Sequence, residues 1–255
     1  MKDRIISFVI VTYKPDKEVL RRMTVALGEY RVIVIDNTEH NIGYGPAANQ
    51  GLKKAFEAGA TWAVVVNQDI TLTKTGIDKF VRTLEDGGPG IVGPEAGELD
   101  PKRWTTVLAS SLPAVALAKE GPVLVPDDAL LYISGSFMAI HRNVWEATQG
   151  FYEPYFMYYE DADLSIRAKK AGFPLRQVAI EGFRHHATND KNNDKEYYLA
   201  RNHLLFVRRL APLPVKIHEL LRISKTLAEH HQQGNYEAIK GIGDFATGRL
   251  GRRIT

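Results

Sequence analysis

The chain has 255 residues, 44% of them hydrophobic and 25% charged, enough for one large α/β core or a core with a small appendage. It contains no cysteine, which excludes disulfides and thiolate metal sites. Its net charge of +3 conceals a basic end: residues 201–255 hold ten Lys/Arg against four Asp/Glu, which suits an acidic surface such as lipid head groups or nucleic acid, or else a solvated helical face.

At the N-terminus, Ile5–Val11 is a continuous apolar, β-branched run and is expected to be a buried strand. Ser7 and Thr12 interrupt the run and no small-residue cleavage site follows, so a signal peptide is not expected. No stretch reaches the ~18 apolar residues of a membrane span, and a cytoplasmic location is the expectation. Pro15-Asp16 opens a helical pattern through Val19, Leu20, Met23 and Leu27, closed by Gly28. Arg31–Ile35 is the second buried strand, with Asp36-Asn37 at its carboxyl end. Asn41–Gly51, NIGYGPAANQG, is a glycine-punctuated loop entering a helix whose apolar stripe is Ala48, Leu52, Ala55 and Phe56. Trp62–Val66 is a third strand ending in Asn67-Gln68-Asp69. A helix through Ile77, Phe80, Val81 and Leu84 then leads to a strand at Ile91-Val92.

This alternation calls for a mostly parallel sheet with helices on both faces, in which ligands gather at the carboxyl ends of the strands. Thr12-Tyr13, Asp36-Asn37 and Asn67-Gln68-Asp69 all fall on that edge. Residues 94–130 are irregular and are expected to form a variable loop. Leu130–Ile140 gives two short apolar pieces around Ser134-Gly135-Ser136, followed by a short helix near Asn143–Ala147. MYYEDADLS, at 157–165, starts a helix that runs to about Ala171, where Gly172 and Pro174 stop it. Leu175–Ile180 is a short strand leading to Phe183-Arg184-His185-His186. The chain turns helical after Lys195, and Val215–Gln232 is an amphipathic helix.

Several of these residues carry chemistry, each with a plainer alternative. Alternate residues of an extended chain point the same way, so Asn67 and Asp69 reach one ligand; Asp69 alone would instead cap a turn. Glu160, Asp161 and Asp163 suit a helix start, where acids accept free backbone N–H groups. Capping does not explain the aromatic run Tyr155–Tyr159 in front of them; a carboxylate walled by aromatics suits a general base. His185 and His186 suit a divalent ion alongside carboxylates, or an exposed loop. Arg201 suits a phosphate contact or a helix surface. The patterns GxxxxGK[ST], GxGxxG and GxSxG are absent, which disfavours P-loop NTPases, typical dinucleotide enzymes and serine hydrolases.

Together, VTYKPD at 11–16, IDN at 35–37, NIGYGPAANQG at 41–51, VNQD at 66–69, SGSFMAI at 134–140, FMYYEDADLSIRAKKAGF at 156–173 and RHH at 184–186 resemble glycosyltransferase family 2, over about residues 5–205. The similarity is greatest to its rhamnosyltransferase-type members. The resemblance implies a GT-A fold, a Rossmann-like nucleotide-sugar-binding half with a mostly parallel sheet, over residues 1–205, and a basic helical extension over 206–255. It implies that Thr12 and Tyr13 border the nucleobase, Asp36 contacts base or ribose, and Asn41, Gly43 and Asn49 line the nucleotide loop. Asn67 would lie near the ribose, Ser134, Gly135 and Ser136 near the sugar and acceptor, and Arg201 near the diphosphate. Asp161 would be the catalytic base with Glu160 beside it. Asp69 would hold Mn²⁺ or Mg²⁺ with His185 or His186, His185 being favoured.

The implied reaction is inverting, non-processive transfer from a dTDP- or UDP-sugar, dTDP-L-rhamnose first, to a saccharide or lipid-linked acceptor in surface-polysaccharide synthesis. Peripheral contact with the inner membrane surface through the basic end is expected, and nucleic acid is not, because no recognition motif accompanies the charge. The sequence departs from the family's D-x-D metal motif at Asn67, and it lacks the QxxRW motif of processive members. A galactofuranosyl- or other hexosyltransferase, or a nucleotide-sugar-binding protein without catalysis, are the alternatives.

Overall fold

The computed structural model describes residues 6–108, 123–124, 130–186 and 193–253. Its centre is β1 (Ile6–Thr12), buried at all seven positions, as an apolar run covered on both faces must be. Ile6, Phe8 and Ile10 enter one core cluster, and Val9 and Val11 enter the other. The strand's two-residue period therefore divides the core into two layers. Ile5, the expected first residue of this strand, lies outside the described residues.

On one face lie α1 (Lys17–Leu27) and α3 (Lys74–Asp86), contributing Met23, Leu27, Ile77, Phe80 and Leu84. The Asp16 carboxylate starts α1 by accepting from the N–H groups of Glu18 and Val19, and Thr73 Oγ1 does the same for α3 through Gly76. On the other face lie α2 (Tyr44–Glu57), α4 (Arg142–Thr148) and α5 (Glu160–Lys170), contributing Leu52, Phe56, Val144 and Leu164.

The remaining strands are β2 (Arg31–Asp36), β3 (Trp62–Asn67), β4 (Ile70–Thr71), β5 (Ile91–Gly93), β6 (Ala96–Leu99), β7 (Thr106–Leu108), β8 (Val123–Leu124), β9 (Leu131–Ile133), β10 (Phe137–His141), β11 (Leu175–Gln177) and β12 (Arg184–His185). The main sheet has the order β2-β1-β3-β10-β5-β11-β8. β1 is parallel to β2 and β3, and β5 to β11, while β10 and β8 run against their neighbours. The sheet is thus mostly parallel with helices on both faces, as expected. β5, the strand expected at Ile91-Val92, does not pair with β3, however, because β10 is inserted between them.

The expectation of a loop over 94–130 is corrected at its start. β6 and β7 pair there, and β9 completes a three-stranded antiparallel sheet. Residues 109–122 and 125–129 of that stretch lie outside the described residues. Beyond β12 come α6 (Asn193–Leu210), α7 (Leu213–Gln232) and α8 (Tyr236–Ala246). The expected boundary at 205/206 falls inside α6. Leu205, Phe206, Val207, Ala211 and Val215 share one apolar cluster with Leu99, Trp104, Tyr132, Tyr159 and Ile166. Among the described residues no helix is long and apolar enough to cross a membrane.

Candidate active site

The parallel register sets the site's floor. Thr12 pairs with Asp36 and Val11 with Asn67, so three strands end together at one edge. The Thr12 side chain is buried, while Tyr13 stands exposed beyond it. Gln68 pins Tyr13 by a reciprocal amide pair, accepting from its N–H at 2.6 Å and donating to its carbonyl at 2.9 Å. Asp36 accepts from the Thr38 N–H at 2.9 Å, and the Thr38 hydroxyl and N–H hold its carboxyl below the usual range. Asn37 and Asn41 shape the following loop. The Asn37 side chain accepts from Ile42 N–H and donates to the Gly43 carbonyl, and Asn41 Oδ1 accepts from Gly43 N–H.

Gly43 has φ of 100°, and a Cβ there would lie 2.5 Å from the Phe156 carbonyl oxygen. That closeness couples the loop to the 155–159 stretch, as does the Tyr44 N–H donating to the same carbonyl at 2.7 Å. Asn49 faces away from the edge, exchanging hydrogen bonds with the Phe151 backbone at 2.8 and 2.9 Å.

At the centre of the edge, Asp69 follows β3. The β4–β12 pair brings His185 opposite Ile70, and His185 Nε2 stands 3.6 Å from Asp69 Oδ2. On its other side His185 Nδ1 stands 3.4 Å from Glu95 Oε2, which also accepts from Ser136 Oγ at 2.8 Å. Asp69 and Glu95 together push the imidazole up to about 9. His186 is turned away, its Nε2 3.1 Å from Thr71 Oγ1. The structure therefore brings His185, not His186, to Asp69.

Asp69 Oδ1 is buried with no hydrogen-bond partner among the described residues. A carboxylate with one orphaned oxygen, its other oxygen beside an imidazole nitrogen, fits a divalent cation. Among the described residues no group of three or more His, Cys, Asp or Glu stands ready to hold an ion. Asp69 and His185 would thus be two protein donors, with ligand oxygens or water completing the shell.

The loop Ser134-Gly135-Ser136 joins this pair to the acids of α5. Ser136 reaches Glu95, and the Gly135 N–H donates to Asp161 Oδ2 at 2.9 Å. Asp161 Oδ1 accepts from Ala162 N–H at 2.8 Å, so both its oxygens are oriented. Tyr44 donates its hydroxyl to the Gly135 carbonyl. Burial and the charges of Glu160, Asp161 and Asp69 push its phenol well up. Glu160 is buried, its Oε2 has no partner among the described residues, and burial followed by the Asp161 charge pushes it up to about 8.

Burial pushes Asp161 up as well, but three backbone N–H bonds oppose that shift. Two adjacent carboxyls in a buried setting do not both ionise readily, and the backbone N–H bonds make Asp161 the member better suited to carry the charge. The linkage has a definite sign. Below the ordinary carboxylate range folded and unfolded chains both hold the Glu160 proton. Between that range and about 8 only the folded chain does, so stability falls as pH rises through this window. Glu160→Gln is expected to flatten that fall, as read from Tm against pH.

The aromatic run is only partly a wall. Tyr155, Phe156 and Tyr159 are buried in core clusters, which corrects the expectation of an aromatic wall around the carboxylates; Met157 and Tyr158 are half-buried. Phe156, Tyr158 and Tyr159 all have positive φ, of 68°, 65° and 74°, a conformation that side chains of this bulk rarely adopt. What holds them is the Arg201-Asn202 pair, both fully buried. Asn202 Nδ2 donates to the carbonyls of Tyr155, Met157 and Tyr158, and Arg201 donates to those of Tyr155 and Gly251. Arg201 is thus neither on a helix surface nor among the residues around Asp69.

Asn202→Ala removes all three Nδ2 donations at once. The expected loss is at least ~2 kcal/mol of unfolding free energy in a denaturant titration. Asp163 is fully buried and ion-paired with Arg167 and, at 3.1 Å, Arg209, and the Tyr155 hydroxyl donates to it. It anchors α5 against α6.

Sequence reasoning did not single out Tyr44, Glu95 or Asn202. Tyr44 lies inside the quoted glycine loop and Asn202 beside Arg201. Glu95 has only its place after Gly93-Pro94 at a strand end to mark it.

No protein-family model matches the chain. It is 26% identical over 210 residues to the N-acetylglucosaminyl-diphospho-decaprenol L-rhamnosyltransferase of Mycobacterium tuberculosis, a match covering 70% of this chain and 66% of that enzyme, just under two thirds of its length. Among solved structures it is similar to TarS residues 1–349 of S. aureus in complex with UDP-GlcNAc. The TM-score is 0.56 at 12% identity, with 94% of this chain and 80% of that one covered. It is also similar to the mannosyltransferase PcManGT of Pyrobaculum calidifontis in complex with GDP-Man and Mn²⁺. There the TM-score is 0.51 at 12% identity, with 96% and 75% covered. The chain has the GT-A fold, and its homologues are glycosyltransferases.

Proposed function

We propose that this chain is an inverting, metal-dependent, non-processive glycosyltransferase that moves a sugar from a nucleoside diphosphate to a hydroxyl of a saccharide or lipid-linked acceptor, with dTDP-L-rhamnose as the first candidate donor. One observation carries the reading. The Ser134–Ser136 loop ties a doubly oriented carboxylate, Asp161, to an acid–imidazole pair, Asp69 and His185, at the carboxyl edge of the sheet. The rhamnose assignment leans on the mycobacterial relative alone.

In this reading the nucleotide lies over Thr12, Tyr13 and Asp36, with the Asn41–Gly43 turn closing on it and Asn67 toward the ribose. Asn49 supports the loop from behind through Phe151, and Arg201 acts by holding the Tyr155 and Gly251 carbonyls. A divalent cation such as Mn²⁺ or Mg²⁺, held by Asp69 and His185, would offset the charge that grows on the leaving diphosphate. Asp161 takes the acceptor proton as the new C–O bond forms and the bond to the diphosphate breaks. One base and one displacement from the opposite face invert the anomeric centre, the logic of the base half of inverting glycoside hydrolysis. Glu160, neutral beside it, leaves Asp161 as the ionised member of the pair. Glu95 fixes the His185 ring by accepting from Nδ1, which points Nε2 at the cation.

A panel of dTDP-, UDP- and GDP-sugars with Mn²⁺ or Mg²⁺ tests this, read as thermal stabilisation and then as transfer to a lipid-linked saccharide, with product anomericity by NMR. Stabilisation by dTDP-rhamnose and an inverted product are expected. A hexose or galactofuranose donor stabilising instead would move the specificity within the same reading, and retention of configuration would remove it.

A further inference from the structure

The outer face of α7 is built the wrong way round for a helix whose partners are all in this chain. Leu213, Ile217, Leu220 and Leu221 recur at helical spacing and are 68%, 48%, 72% and 77% exposed, whereas Val215 and Glu219 are buried. Exposed Ser224 and Ala228 continue that face, and Lys216 and Lys225 flank it. At its edge Leu220 borders an apolar hollow of about 400 Å³ that Val207, Ile223, Ile242 and Phe245 also line. The stripe therefore runs on into a groove between α6, α7 and α8. Contiguous exposed apolar surface of this kind marks a docking site.

The charges on α7 say what docks. The helix has two acids, and both are engaged: Glu219 is buried against Arg103 at 3.0 Å, and Glu229 pairs with Arg222 at 2.7 Å. Lysines flank the stripe, Lys216 and Lys225, the latter 67% exposed and only loosely ion-paired with Glu229 at 4.0 Å. A second copy meeting this face about a two-fold axis would set the same lysines against each other with no further acid to offset them, since Glu229 is already shared by Arg222 and Lys225 of its own helix and such an interface is self-complementary. An anionic bilayer answers both features. Its acyl boundary takes the Leu/Ile stripe and its phosphates take the lysines, the arrangement of a helix lying in the interface plane.

We infer that the outer face of α7 is a membrane-docking surface, with Leu213, Ile217, Leu220 and Leu221 seated in the head-group boundary of an anionic bilayer and Lys216 and Lys225 on its phosphates. The inference stands on exposure and charge, independently of the transferase reading.

Flotation of the full chain with phosphatidylcholine vesicles, with and without ~30% phosphatidylglycerol, tests it. Binding is expected to the anionic vesicles only and to weaken with salt. The double variant Leu220→Asp/Leu221→Asp should lower partition at least about tenfold. Lys216→Gln/Lys225→Gln should lower it about fivefold per lysine. The substituted leucines are exposed, so an unchanged Tm is expected to show that the fold persists. Wild-type failure to bind anionic vesicles, or undiminished binding by the leucine variant, would overturn the inference. So would light scattering that shows a dimer which Leu220→Asp/Leu221→Asp dissociates, since a second copy would then cover the face.

Discussion

Asp161→Asn is expected to bind nucleotide sugar as the wild type does and to lose transfer by about 10²–10⁴-fold, the usual contribution of a positioned general base. The substitution is nearly isosteric, so little else changes. Asn retains an oxygen that accepts from Gly135 or Ala162 N–H, and α5 keeps its start. What it loses is the charge, and with it the capacity to take a proton. Donor binding by calorimetry beside single-turnover transfer separates the two effects. Near wild-type turnover in Asp161→Asn would remove Asp161 from the chemistry, and loss of donor binding would show that it acts on the nucleotide instead. The neighbouring Glu160→Gln serves as the control. It removes a carboxyl that the folded chain already holds protonated, up to about 8, so transfer at neutral pH should survive.

Most of the sheet could be read from local pattern, because β1, β2 and β3 are mainly apolar, β-branched runs separated by Gly28, Gly59 and helical spacing between them. What pattern does not carry is which strand lies beside which. β10 enters between β3 and β5 through contacts more than 40 residues apart in sequence, and nothing in FMAIH states its partner. β6 and β7 were hidden for a different reason. AGEL and TVL are short and sit in a Pro-rich stretch, so they read as loop until β9 supplies the third strand.

The site divides in the same way. Asp69, Asp161 and His185 stand at element ends where position alone marks them. Glu95 is a lone acid after a strand, and it acquires meaning only when β12 brings His185 to it from 90 residues away. The aromatic run misled because burial is a tertiary property. Tyr155 and Tyr159 look like a ligand wall in sequence, yet they pack under α5 and leave Met157 and Tyr158 nearer the surface.

Asp69→Ala should abolish metal-dependent donor binding while leaving the metal-free affinity for the nucleotide nearly unchanged. Among the described residues Asp69 has a buried oxygen without a partner and its other oxygen beside His185, and alanine removes both donors outright. Glu95→Gln should have a graded effect, lowering Mn²⁺ affinity about 10–100-fold, as the loss of a carboxylate that orients a ligating imidazole does. His186→Ala should leave Mn²⁺ affinity unaltered, because that ring faces Thr71.

The order Asp69→Ala, then Glu95→Gln, then His186→Ala follows from distance and bonding alone, and Mn²⁺ titration by electron paramagnetic resonance reads it without any turnover. Nitrogen coupling to bound Mn²⁺ should be present in the wild type and altered by Glu95→Gln. Equal Mn²⁺ affinity in wild type and Asp69→Ala would refute the role of Asp69. Wild-type affinity with unchanged nitrogen coupling in Glu95→Gln would leave the metal at Asp69 and His185 but deny Glu95 its hold on the ring.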